Sequence, residues 1–357
     1  MRDRSGGGAG FQGREGMKIK VLMGGDSPER DVSLLSGQAV AQALREAGHE
    51  AEAVDIPSVG AVLTLPGLQE ADLVFPALHG GQGEDGHLQS LLDVMGIPYA
   101  LSGPAASALA MDKSSTKRIM RAAGIPTPDW LQINWDREQG QAGVVFGRQE
   151  NRDDGDGGEE YGEGLTTEHI LERAAGELGF PLVVKLNGAG SSVGVAIVTA
   201  PSAFDEGFRR VVESAESSCI DVILEKFIPG RELTSTILLG RRLPLLEIRP
   251  HAGFYDYQNK YTSGASEYLV PAPVHSPVYE QIAADALRLY DLVGCRGVAR
   301  VDFRLDGGDY YCLEINTIPG MTEHSLVPKA AAAVGIGFSA LLDDLCRTAG
   351  AVCRGRR

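Results

Sequence analysis

Twice near its start the chain passes from an apolar run through a glycine-rich loop into residues of helical period, and this alternation restricts the fold more than any other feature. Residues 19–23 lead into Gly24-Gly25-Asp26-Ser27-Pro28, after which Leu34, Leu35, Ala39, Val40, Ala43, Leu44 and Ala47 recur at helical spacing and Gly48 marks a stop. The pattern returns with the apolar run 73–78, a glycine loop, and a helix expected over 88–95 that ends at Gly96. Successive strands joined by helices run parallel, because a parallel pair needs a long crossover. The front of the chain is therefore expected to be α/β, with a Rossmann-like parallel sheet.

From Lys113 the rhythm changes. A helix is expected over 116–123, then the breaker run Gly124-Ile125-Pro126-Thr127-Pro128. Residues 136–164 contain Asp153-Asp154-Gly155-Asp156-Gly157-Gly158-Glu159-Glu160, too acidic and glycine-rich to bury much surface. They read as a mobile insertion with no assigned chemistry. A helix over 168–178 precedes a strand at 182–186, with 195–199 as its hairpin partner. Beyond a strand at 222–227 the chain is strand-rich until a helix over 278–293. This part is α+β.

A length of 357 residues with 43% hydrophobic content supports about two or three domains. Residues 1–16, rich in Gly and Arg and lacking an apolar stretch, read as a disordered leader, with the fold beginning near Met17. The longest uncharged, mostly apolar run, 330–342, is too short to span a bilayer and suits a buried or amphipathic helix. Five cysteines without CxxC spacing argue against a disulfide framework or a thiolate zinc site, and so favour a reducing cytoplasm. A net charge of -15 repels nucleic acid and anionic membranes as a whole, leaving a small-molecule substrate as the better expectation.

Three segments could carry chemistry. Gly81-Gln82-Gly83-Glu84-Asp85-Gly86 formally matches GxGxxG, but Glu84 and Asp85 would set two carboxylates where a pyrophosphate should sit. It reads as a tight loop rather than a dinucleotide site. Asn187-Gly188-Ala189-Gly190-Ser191-Ser192-Val193-Gly194, beside Lys185, offers backbone N–H groups and hydroxyls that could fold over a polyphosphate; a plain hairpin turn explains it equally well. The most specific is Val298-Ala299-Arg300-Val301-Asp302-Phe303, then the turn Asp306-Gly307-Gly308, then Leu313-Glu314-Ile315-Asn316. Alternation puts Arg300 with Asp302, and Glu314 with Asn316, on one face while Val301, Phe303, Leu313 and Ile315 face the core. Asp302, Glu314 and Asn316 can then converge as an all-oxygen cluster suited to magnesium and phosphates, although solvated polar faces on hairpins are also common. After it, in residues 317–322, Gly320 could present its N–H to a reacting carbonyl, or simply turn the chain. The polar, aromatic residues 254–261 form either a lid or a self-packed loop.

Together these segments resemble the ATP-grasp superfamily and, within it, the D-alanine:D-alanine ligase family. The resemblance runs from about residue 17 to 345, except the insertion, through GGDSPERDVSLLSG, HGGQGEDG, MDKSSTK, VVKLNGAGSSVG, EKFIPGRELT, FYDYQNKYTSG, ARVDF, LEINTIPGMT and HSLVP. It implies a Rossmann-like unit over 17–112, a central ATP-grasp unit over 113–226, a C-terminal unit with the catalytic site over 227–350, and a tail over 351–357. ATP would be clamped between the last two units by Lys113, Lys185, Ser191, Ser192, Glu225, Lys226, Phe227, Ile228 and Glu232, with Lys260 at the γ-phosphate. Asp302, Glu314 and Asn316 resemble the ligands of two Mg2+ or Mn2+ ions. Glu29 would hold the first ammonium in a network with Ser191 and Tyr261, with His79 also on the substrate side. Arg300 and the Gly320 amide would stabilise an oxyanion, and Ser325 and Leu326 would line the second carboxylate's pocket.

The implied reaction is ligation of two D-alanines through D-alanyl phosphate for peptidoglycan precursor synthesis, in a cytoplasmic, homodimeric enzyme. The leader and the insertion have no evident family role, and Leu186 stands where a proline is often expected; neither touches an implied catalytic group. Rival readings are a D-alanine:D-lactate ligase, against which Tyr261 speaks, another ATP-grasp carboxylate–amine ligase, and a nucleotide-binding regulator that catalyses nothing. A pure binder has no need of Arg300 beside Asp302, Glu314 and Asn316.

Overall fold

A computed structural model of the chain describes residues 16–146, 159–160, 164–190, 194–251 and 266–354. Its first sheet has three parallel strands in the order Glu50–Ile56, Lys18–Gly24, Leu73–Pro76. The first crossover is the helix Arg30–Glu46, which buries Val32, Val40, Ala41, Ala43 and Leu44 and starts directly after Glu29, earlier than the apolar spacing implied. It ends in paired closing bonds, Gly48 N–H to Arg45 O and His49 N–H to Leu44 O, both 3.0 Å, with Gly48 at φ +90°. That turn needs a left-handed residue, which is why a glycine stops the helix. The helix His87–Val94 ends in the same way at Gly96.

The second sheet is antiparallel, in the order Glu159–Glu160, Gln141–Phe146, Trp130–Asp136, Cys219–Lys226, Leu182–Leu186, Val195–Val198. Helices Thr167–Glu177 and Phe204–Glu213 cover it, packing Ile170, Phe204, Phe208 and Val211 on Leu131, Ile133, Leu182 and Val184. Here the structure differs from the expected insertion over 136–164. Gln141–Phe146 adds a strand to the sheet and Ala142 is fully buried, so the front of that segment belongs to the core; residues 147–158 and 161–163 lie outside the described residues.

The third sheet is also antiparallel and runs Ser266–Leu269, Leu246–Pro250, Arg231–Leu238, Val298–Asp306, Asp309–Asn316, with Arg241–Arg242 paired to the central strand. Helix Ser276–Val293 packs Ile282, Ala286 and Leu289 against Leu233, Ile237, Val301 and Phe303. The apolar run 330–342 is not one helix: Leu326–Ala332 and Phe338–Arg354 are separate, with Gly335 at φ +81° between them. The second of these returns to the first sheet, where Leu341, Leu342 and Leu345 join Ile19, Val21, Leu73 and Phe75 in one core. His49 Nε2 lies 2.7 Å from Asp343 Oδ1 across this contact. Among the described residues no helix is long and apolar enough to cross a membrane.

Candidate active site

The hairpin of Val298–Asp306 and Asp309–Asn316 sets Asp302 opposite Glu314 and Arg300 opposite Asn316. Ala299, Val301 and Phe303 are buried on its other face, as period-two alternation requires. A register shift after Asp302 brings Cys312 opposite Phe303. Arg300 grips Asp302 with a fork, Nε to Oδ1 at 2.9 Å and Nη2 to Oδ2 at 2.9 Å, and Thr234 Oγ1 donates to Asp302 Oδ1 at 2.7 Å. Asn316 Oδ1 accepts the Ile318 N–H at 2.9 Å, which starts the turn that carries Gly320.

This face forms one wall of a cleft of about 510 Å³. Glu29, His79, Lys113, Glu232, Arg300, Asp302, Glu314, Asn316, Gly320, Ser325 and Leu326 all line it, bringing together residues from all three sheets and their loops. Lys113 Nζ donates to Ala189 O at 2.5 Å and stands 3.5 Å from Glu314 Oε2. Its helix, Lys113–Ala122, begins with Asp112 accepting the Ser115 N–H at 2.7 Å, a cap that places the lysine at the rim. Glu29 is buried between two glycines: a Cβ would come within 2.6 Å of its Oε2 at Gly80 and 2.8 Å at Gly190, displacing the carboxylate. His79 Nε2 is 2.9 Å from Ser36 Oγ, and its Nδ1 is 3.4 Å from the buried Glu84 Oε1. Within the GQGEDG segment, read as a tight loop, Gly81–Glu84 forms a single helical turn, and Glu84 points inward to His79.

Of the expected nucleotide set, Lys113 and Glu232 line the cleft. Lys185 and Glu225 sit on adjacent strands in a buried cluster, with Lys185 Nζ 2.9 Å from Glu225 Oε1 and Lys117 Nζ 2.6 Å from Glu225 Oε2. Burial pulls the Lys117 ammonium down to a pKa of about 8. Burial pushes the Glu225 carboxyl up, but Lys117 and Lys185 outweigh it and hold the group below the usual carboxylate value. Lys226 ends the strand that carries Glu225, and Phe227 and Ile228 begin the link to the third sheet, where the Phe227 N–H donates to Pro181 O at 3.3 Å. Ser191, Ser192, Lys260 and Tyr261 lie outside the described residues.

A family model described as D-ala D-ala ligase C-terminus matches residues 160–347, and one described as D-ala D-ala ligase N-terminus matches residues 63–102. The chain belongs to the D-alanine–D-alanine ligase family. It is 42% identical over 93% of its length to a D-alanine–D-alanine ligase of Desulforudis audaxviator, covering 98% of that protein. To one of Magnetococcus marinus it is 40% identical, over 93% of this chain and 97% of the relative. A crystal structure of the Bacillus anthracis D-alanine–D-alanine ligase complexed with ATP superposes with a TM-score of 0.74 at 31% identity, over 96% of this chain and all of that one. The parallel sheet followed by two antiparallel sheets is the ATP-grasp ligase fold of these D-alanine–D-alanine ligases.

Among the described residues of this ligase-family chain no three His, Cys, Asp or Glu side chains cluster as a metal site. Two facing carboxylates with a carboxamide oxygen beside them still fit a hard divalent cation, which commonly takes only one or two carboxylates and completes its shell with substrate phosphates and water. No motif in the sequence points to a role for Lys117, Ser36, Glu84, Tyr268 or Lys329. Lys117 stands four residues after Lys113, one helical turn along the same face, and that spacing was the available signal.

Proposed function

We propose that this chain joins two D-alanine molecules into D-alanyl-D-alanine, using ATP and releasing ADP and phosphate, through a D-alanyl phosphate. A carboxylate at neutral pH resists attack by an amine until phosphoryl transfer gives it a leaving group. Glu29 would hold the ammonium of the donor amino acid, and its place in the cleft wall supports this reading, because the absence of a Cβ at Gly80 and at Gly190 leaves the space its carboxylate occupies. Lys113 and Lys185 would draw the phosphates, while Glu225 and Lys226 at the end of the strand Cys219–Lys226, with Phe227 and Ile228 just after it, would face the nucleotide. Arg300 and the Gly320 N–H would stabilise the oxygen of the tetrahedral adduct formed when the second amine attacks. Ser325 and Leu326 would receive the second carboxylate, with His79 ordering the donor side through Ser36.

Asp302, Glu314 and Asn316 would hold Mg2+ or Mn2+, which when bound supplies positive charge for the phosphates. Arg300, which grips Asp302 through Nε and Nη2, would hold that carboxylate in place for the ion. The working division would be 17–112, 113–226 and 227–350, in a cytoplasmic homodimer feeding peptidoglycan synthesis.

The observation that carries the proposal is the facing of Arg300 and Asp302 with Asn316 and Glu314 on one wall of a cleft that also holds Glu29. It is tested by following ADP release and product mass with D-alanine, L-alanine and D-lactate. Release dependent on D-alanine and a product of dipeptide mass are expected; product formed only with D-lactate overturns the reading.

A further inference from the structure

The cleft is crowded with carboxylates: Glu29, Glu84, Glu232, Asp302 and Glu314 all line it. Two of its lining cations are engaged by such groups, Arg300 by Asp302 at 2.9 Å and Lys113 near Glu314 at 3.5 Å. Lys329 differs. Its ammonium donates to the carbonyl of His324 and lies 4.8 Å from the centre of the Tyr268 ring, and among the described residues it forms no salt bridge. The Lys329 N–H also bonds to Ser325 O at 3.1 Å, so the two residues are one turn apart on the helix Leu326–Ala332 and its cap, and both line the cleft. Burial lowers the pKa of this ammonium, and an arriving carboxylate would offset that penalty.

We propose that Lys329 recognises the carboxylate of the second, amine-donating substrate and so makes the enzyme select a free α-carboxylate at that position. This rests on the ligase reading above and adds to it a specificity residue that the sequence pattern did not mark. Ser325 can offer that carboxylate a hydroxyl, but its Oγ already accepts the Thr322 N–H at 3.0 Å and it brings no charge. Lys329, one turn further, supplies the charge. Tyr268 holds the ammonium against its ring face, limiting how far it can swing toward solvent.

The test is a competition. Enzyme with ATP and D-alanine is given D-alaninamide in equal amount, and the ratio of D-alanyl-D-alanine to D-alanyl-D-alaninamide is read by mass. The ratio does not depend on how much enzyme is active. The wild-type chain is expected to favour the free acid. Lys329→Gln, which keeps a donor for the His324 carbonyl, should reduce that preference about ten- to a hundredfold, and Lys329→Arg should restore most of it. An unchanged ratio in Lys329→Gln, or a slower reaction with the ratio intact, overturns the proposal while the ligase reading stands. A wild-type chain that forms no dipeptide overturns both.

Discussion

Glu225 and Asp302 are both carboxylates gripped by cations, yet one lies in the interior and the other on a cleft wall. Glu225 is fully enclosed between Lys117 and Lys185, whereas Asp302, held by Arg300, keeps 18% of its side chain exposed. A buried charge that loses its partner finds no water to replace it, so the interior cluster is committed to one arrangement. Asp302 is still paired with Arg300, but solvent reaches it and can replace a lost partner. The difference separates a charge locked between two lysines from one that solvent still reaches.

The comparison breaks most visibly at Lys117. Lys117→Met should remove about 3–5 kcal/mol of stability, read as a lower urea midpoint with unchanged slope. A loss no larger than that of a surface substitution would show that the cluster tolerates rearrangement after all. At the cleft the same operation should act on rate: Arg300→Ala should lower kcat by about 10²–10³ while the ATP dissociation constant and the urea midpoint barely move.

Acid should sharpen the contrast further. The Glu225 carboxyl in the folded chain is held below its ordinary value of 4.5, so the unfolded chain takes up that proton first. Its contribution is complete above that value and is lost as the pH falls through the folded-state value. Urea midpoints taken from neutral pH to about pH 3.5 should therefore fall more steeply in the wild type than in Glu225→Gln. The smallest effect belongs to Arg209, which pairs with Glu213 on an exposed helix face. Arg209→Ala should change neither the melting temperature nor turnover measurably, since water replaces the partner.

The two sites were not equally legible. The pairing of Arg300 with Asp302 and of Glu314 with Asn316 could be read directly, because strand alternation is local and a glycine turn brings the two strands together. Lys117 could not. Its burial comes from the seating of helix Lys113–Ala122 beside Thr127, Pro128 and the strand carrying Glu225, and the four-residue spacing to Lys113 marks a shared helix face without revealing that environment. The acidic segment misled for a related reason. Its composition is that of an exposed loop, yet Gln141–Phe146 is strand because Trp130–Asp136 offers it an edge. The run 330–342 looked continuous in hydrophobicity, while Gly335 divides it into two helices.

The sequence alone determined the parallel α/β front followed by an α+β part, the helix stops at Gly48 and Gly96, and the face shared by Arg300 and Asp302, all consequences of spacing along a single segment. Tertiary structure alone decided which charges are enclosed and which stay in reach of substrate: Glu225 between two lysines, Glu29 between two glycines, Lys329 over Tyr268. Burial is a property of how distant segments pack, and the same lysine or carboxylate reads alike in the chain whether it ends beneath a sheet or beside a cleft.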